Sequence, residues 1–154
     1  NVVNFTYAKD ATNVSPRYFD FLTVLVMAHI VQRFLDHTEP EPHDIPSLSE
    51  ACHLPINQTS EIIAKLLEEE LIIEVVYSSR DKEQHYNLAV DPDLLTVGYL
   101  LDRMDRSGHR NHMLTQQQFA EEWELVVASR HAFTEPPVTT LLADLPLGRK
   151  PSTT

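Results

Sequence analysis

Apolar positions along the chain follow two different spacings, and each spacing predicts a different element. Between Tyr18 and Phe34 they recur at steps of three and four (Tyr18, Leu22, Leu25; Phe19, Val26, Ile30, Phe34), the interval that lines up one face of a helix. Phe21, Val24, Met27 and Val31 widen this stripe past a single face, so the helix is expected to be buried on two sides. Ser15-Pro16 marks its start, a hydroxyl able to accept a free first-turn amide and a ring that pre-sets helical φ, and its end is expected near Asp36. The same spacing returns from Ile56 through Ile62, Ile63, Leu66 and Leu67. It gives way at Leu71 to Tyr77 (LIIEVVY) to β-branched text that reads as a strand. His85 to Val90 (HYNLAV) alternates as a second strand, and the polar stretch SSRDKE between the two closes a hairpin.

The remaining segments fit around this frame. His37 to Pro46 holds three prolines and no periodicity, so it reads as a connector. Ser47 with Glu50 fits a capping box, predicting a short helix through Cys52 that Leu54-Pro55 ends. Three helices followed by a hairpin is the outline of a winged helix, a mainly α fold with a small β element (α+β). Asp91-Pro92-Asp93 then caps a helix over residues 94–106 that stops at Ser107-Gly108. A last amphipathic helix within Phe119 to Phe133 is expected to cover the core, anchored by Trp123. The pattern is lost beyond Thr134. The expected organisation is a flexible lead (1–14), a winged-helix-like domain with helical extensions (15–133), and an extended tail (134–154) docked through Leu141 and Leu142 and partly disordered.

Composition narrows the chemistry. At 154 residues and 42% apolar, the chain is long enough for one domain with a real core. Its three glycines, Gly98, Gly108 and Gly148, exclude any Gly-rich phosphate cradle. The single Cys52 excludes an intrachain disulfide and zinc sites built on cysteine pairs, and fits a reducing compartment. The longest near-continuous apolar run, Phe21 to Val31, is interrupted by Thr23 and His29 and falls short of the roughly 20 residues a membrane span needs. No basic segment leads into an apolar one at the amino end, and a start on Asn1 suggests a piece of something longer.

A formal net charge of -11 argues against a generic grip on nucleic acid. The helix from Ile56, placed where a winged helix carries its recognition helix, sets Lys65 against Glu61, Glu68, Glu69 and Glu70. Asp81 and Glu83 likewise offset Arg80 and Lys82 in the wing. Asn57, Gln58, Thr59 and Lys65, with Arg80 and Lys82, are nevertheless the side chains that would touch DNA if any do. His37, His43, Asp44, His109 and His112 lie in loops without ligand spacing, so neither metal nor cofactor is expected. His29 reads as a hydrogen-bonded core residue. Asp102 and Asp105 share a helix face beside Arg103 and Arg106, the pattern of solvent-facing ion pairs, and no catalytic set is expected.

Three stretches, SPRYFDFLTVLVMAHIVQRF (15–34), LPINQTSEIIAKLLEEELIIEV (54–75) and LTVGYLLDRMDRSG (95–108), with Trp123-Glu124 after them, resemble the carboxy-terminal extension of the YihY/BrkB family of bacterial inner-membrane proteins, long labelled ribonuclease BN. The likeness spans residues 14 to 145. It implies a membrane domain ahead of Asn1, with this chain hanging on the cytoplasmic side of the inner membrane. The expectation is therefore a non-enzymatic interaction module that docks on that membrane domain, another protein or a second copy through Phe19, Val26, Ile30, Leu141 and Leu142, with nucleic acid unfavoured. The alternatives are a winged-helix DNA-binding regulator using the contacts named above, and part of a tRNA-processing ribonuclease with a divalent metal at Asp102 and Asp105.

Overall fold

Helix α1 (Pro16–Leu35) starts where the sequence places it, with the Ser15 hydroxyl accepting the Tyr18 amide at 3.2 Å. It belongs to a computed structural model that describes residues 14–39, 41–76, 84–106, 113–131 and 138–148. Its 20 residues are long and apolar enough to cross a membrane by length and composition. Leu22, Val26, Met27, Ala28, Ile30 and Val31 are instead spent inside the protein, each at most 3% exposed. The middle of the stripe thus meets neighbours, but Tyr18, Phe21 and Phe34 stay 45–51% exposed, so the burial expected from its width is only partial.

Behind α1 the chain forms β1 (His43–Asp44), α2 (Ile45–Cys52), α3 (Ile56–Glu68), β2 (Ile72–Val75) and β3 (His85–Leu88). The sheet runs in the order β1-β3-β2 and is antiparallel throughout, with Ile72 opposite Leu88 and His43 opposite Tyr86. This is the α+β winged-helix arrangement. β1 was not foreseen: two residues inside a proline-rich connector carry no period. The polar loop between the hairpin strands lies outside the described residues.

The start of α2 differs from the sequence reading in an instructive way. Ser47 does belong to a capping box, but as its third helical residue. Asp44 is the cap, its carboxylate accepting the Ser47 amide at 2.9 Å while the Ser47 hydroxyl accepts the Asp44 amide at 3.1 Å. The helix therefore begins at Ile45, directly after β1. His43, 5% exposed, brings Nδ1 within 2.8 Å of the same hydroxyl. Burial, then the Arg33 and His29 charges, push the His43 imidazole down to about 4, outweighing the nearby Asp44 carboxylate. On the opposite strand the buried His85 reaches Glu41 Oε1 at 3.1 Å and comes within 4.0 Å of Asp44 Oδ2.

Both helices of the α2–α3 unit end without glycine. His53 (φ 55°) and Glu70 (φ 58°) take the left-handed conformation. The following amides close back on the helix, Leu54 onto the Ser49 carbonyl and Leu71 onto the Leu66 carbonyl. A left-handed non-glycine residue costs roughly 1–2 kcal/mol, and this cost is accepted at both helix ends and again at Leu147 (φ 49°).

After the hairpin a 3-10 turn (Pro92–Leu94) precedes α4 (Val97–Asp105), so the break between Leu94 and Val97 divides what the sequence joined. Thr96 rather than Asp91 caps α4, its hydroxyl accepting the Tyr99 amide at 3.0 Å. α5 (Met113–Gln118) and α6 (Ala120–His131) follow. α6 does not cover the core: Leu125 and Val126 are 64% and 54% exposed, and Trp123 is only half-buried.

The core is completed from the segment expected as an extended tail docked through Leu141 and Leu142. Residues 138–142 run beside 95–98: Val97 and Gly98 donate amides to the Thr140 and Val138 carbonyls, and Leu142 donates to Leu95. Leu142, in a second 3-10 turn (Leu142–Asp144), is fully buried. The Gln32 side-chain amide of α1 donates to the Leu142 and Leu145 carbonyls at 3.2 and 2.8 Å. The docking of Leu141 and Leu142 thus serves the chain's own core, and packing continues past the boundary drawn at residue 133.

Two outcomes follow from this packing. Leu142→Ala is expected to cost about 2–5 kcal/mol in urea unfolding, against about 0.5 kcal/mol or less for the exposed Leu125→Ala. His43 must stay neutral in the fold, so its contribution is fully present above its ordinary value of 6.5 and is lost as pH falls through that value towards about 4. The urea midpoint should fall across that window, and His43→Asn should flatten that part of the profile.

Candidate functional site

The α2–turn–α3 unit is assembled from inside by two hydroxyls. Ser49 donates to Thr59 Oγ1 at 2.8 Å, and Thr59 donates to the Pro55 carbonyl at 3.3 Å, both buried between the helices. Thr59 is therefore a joint between α2 and α3 and cannot reach a ligand, contrary to its place among the candidate DNA contacts. Gln58 is also set inside, 2% exposed, with neither amide atom hydrogen-bonded. Its position explains this. A glutamine three residues past a helix cap ordinarily reaches back to the cap amide, but the cap here is Pro55, which has none.

The other candidates on α3 face outward. Asn57 and Lys65 are exposed, in company with Glu61, Ala64 and Glu68. The Lys65 ammonium lies 4.4 Å from the centroid of the Phe19 ring, so its stem crosses α1 while its charge remains at the surface. No side chain caps the start of α3, so its first-turn amides lack a side-chain acceptor. Arg80 and Lys82 lie outside the described residues.

The far end of α3 is braced by a residue the sequence reading had assigned only to surface ion pairing. Arg103 of α4 donates to the Glu69 carbonyl through Nη2 and to the Tyr99 hydroxyl at 3.1 Å. A guanidinium suits this position because it offers several donors in one plane to acceptors on two elements. No local signal marks such a partner, which is 34 residues away in sequence.

The remaining candidates resolve into structure. Asp102 pairs with Arg106 at 3.2 Å, and Asp105 with Arg130 of α6 at 2.5 Å, so the two carboxylates hold arginines and not a metal. Among the described residues no group of three or more histidine, cysteine or acidic side chains is placed to hold a metal ion. His109 and His112 lie outside them. Cys52 is buried, and burial pushes its thiol up to about 11. Its sulfur is 3.4 Å from His29 Nδ1, but that nitrogen also lies 2.8 Å from the Leu25 carbonyl, which requires it to donate. His29 therefore offers the thiol no base. Of the expected docking residues, Val26, Ile30 and Leu142 are at most 1% exposed. Phe19 lies partly buried under Lys65, and Leu141 bridges Thr96. The core of this chain thus occupies Val26, Ile30 and Leu142, while Phe19 and Leu141 stay partly exposed.

No protein-family model and no curated protein matches the chain. Solved structures do. CymR of Staphylococcus aureus superposes with a TM-score of 0.54 at 15% identity, over 88% of this chain and 99% of its own. IscR of T. potens gives 0.53 at 22% identity, over 87% of each. CymR of B. subtilis, described as its global cysteine regulator, gives 0.52 at 15% identity, over 86% and 94%. At these identities the likeness is one of fold, and it extends over nearly the whole chain. The resemblance to a YihY/BrkB extension is therefore corrected, together with what it implied: the upstream membrane domain as partner, the place at the inner membrane, the ribonuclease label and the docking function. The B. subtilis neighbour is described as a regulator, the class that the charge balance had set aside together with nucleic acid as a partner.

Proposed function

We propose that this chain is a DNA-binding transcriptional regulator, not an enzyme, in which α3 enters the major groove and the β2–β3 hairpin lies along the flanking backbone. The observation that carries the reading is the division of α3 into two faces. One face (Thr59, Ile62, Ile63, Leu66) is consumed by the core, and the other (Asn57, Glu61, Ala64, Lys65, Glu68) is exposed, with Lys65 lying over the Phe19 ring and its charge at the surface. A helix held at both ends, by the Ser49–Thr59 hydroxyl pair and by Arg103, with a free polar face is what base reading requires. Similarity to CymR and IscR over most of the chain supports the same reading.

The acidic balance shapes how such a protein would bind. Lys65, Arg80 and Lys82 are few cations for a phosphate backbone, so affinity leans on base edges. Asn57 suits adenine, and Glu61 suits the amino group of cytosine. Pairing of two copies would double a weak contact. Leu125 and Val126 on α6, with Phe119 just before it, offer a second copy an apolar seat, each at least 50% exposed.

Selection from a randomised duplex library, followed by anisotropy at several salt concentrations, tests this. A recovered motif is expected, with a shallow salt dependence matching few phosphate contacts. Asn57→Ala should cost about 1–3 kcal/mol and relax one position of the motif, while Lys65→Ala weakens all sequences alike. Failure to enrich any sequence, with no binding at low salt, rejects the proposal. Leu125→Glu should shift sedimentation towards monomer and weaken binding to a two-half-site duplex more than to a single half-site.

A further inference from the structure

We propose that the open cavity at the root of the wing is an effector site for a small zwitterion of the α-amino-acid class. The cavity, of about 280 Å³, lies between the last turn of α1, the loop before β1 and the middle of β3. Its exposed lining is mainly polar and carries charges of both signs, Arg33 against Asp36 and Glu39 with His37 beside them in sequence, while Ile30 and Phe34 add apolar contact. That combination suits a ligand with a carboxylate and an ammonium joined through a short apolar body. Arg33 spends one guanidinium nitrogen on the Glu41 carbonyl at 2.8 Å, and its remaining donors suit a carboxylate. Asp36 accepts the Thr38 amide and hydroxyl, and those bonds hold its carboxyl below the usual range, so it stays anionic opposite an ammonium. The negative end of the α1 dipole adds to the cation side. At about 280 Å³ the cavity falls just below the roughly 300–1,000 Å³ of small-ligand sites, which favours a ligand smaller than a nucleotide, and the two acids oppose a polyanion.

The cavity is wired to the α2–α3 unit. Arg33 holds the Glu41 backbone, the Glu41 carboxylate holds His85, and His85 lies 4.0 Å from Asp44, the cap of α2. A ligand carboxylate that draws Arg33 off Glu41 loosens the loop that ends at the α2 cap. Control of DNA binding through this chain of contacts rests on the reading given under Proposed function; occupancy of the cavity does not.

Amide-resolved NMR of the full chain without DNA, titrated with L-alanine, L-serine and L-valine, separates the two. Saturable shifts centred on Arg33, Phe34, Tyr86 and Asn87 are expected. The methyl ester, which lacks the carboxylate charge, and the N-acetyl derivative, which lacks the ammonium, should each bind about tenfold more weakly. Arg33→Gln should abolish the response, and Glu39→Gln, on an exposed side chain outside the core, should weaken it without changing the fold. Absence of saturable shifts, shifts centred elsewhere, or equal binding of either singly charged derivative overturns the proposal. Anisotropy on the selected duplex, with and without the amino acid, forms the second arm. DNA binding that weakens when the amino acid is added is expected; no DNA binding with or without it, the NMR shifts intact, rejects the regulator and keeps the site, whereas DNA binding without NMR shifts does the reverse.

Discussion

Helix α1 is the support on which the other elements are arranged. It packs against α2, α3, α4, β3 and the 3-10 turn at Leu142, and from Leu22 to Val31 most of its side chains are out of water. Burying a large aliphatic side chain contributes about 1.5–3 kcal/mol, so a helix with six buried apolar residues supplies much of what holds a small domain together. The apolar composition of α1 is thus spent in large part on the protein's own core, while Tyr18, Phe21, Phe34 and Leu35 remain exposed.

The second constraint is polar and acts on position more than on stability. Four contacts fix where α3 sits: the Asp44–Ser47 capping box, the Ser49–Thr59 hydroxyl pair, the left-handed turn at His53 and the Arg103 brace on Glu69. Directional bonds of this kind add about 1 kcal/mol each, less than the apolar core provides. They do what an apolar core cannot, because hydrophobic contact is tolerant of small slides and rotations. A helix that is to read an edge pattern needs orientation, and orientation here is carried by side chains that the apolar spacing does not reveal.

That division describes what was legible in the sequence. The apolar steps of Tyr18 to Phe34 and Ile56 to Leu67 placed α1 and α3 within a residue or two, and alternation placed the strands, because burial writes itself into spacing. β1 escaped because two residues form no period, and the cap of α2 shifted because Asp44 and Ser47 are both capping types within three positions. Thr59 looked like a surface contact because nothing local shows Ser49 ten residues earlier as its partner. The family resemblance misled for the same reason that the fold was readable: amphipathic helices in a fixed order belong to every protein packed this way. Net charge is a poor guide in either direction, because it averages a surface that any one partner samples in one place.

The return of residues 138–145 to α1 has a kinetic side. Gln32 reaches acceptors 110 and 113 residues further along, whereas α2, α3 and the hairpin find their partners close by in sequence. Local contacts form early and distant ones late, because the loop must be closed before it is rewarded. The winged-helix unit can therefore assemble while α1 still lacks its cover at Leu142, and through that interval an apolar strip of the longest helix stands open. With Leu142 lying 110 residues beyond Gln32, the vulnerable moment of this helix is during maturation, and the short segment around Leu142 ends it.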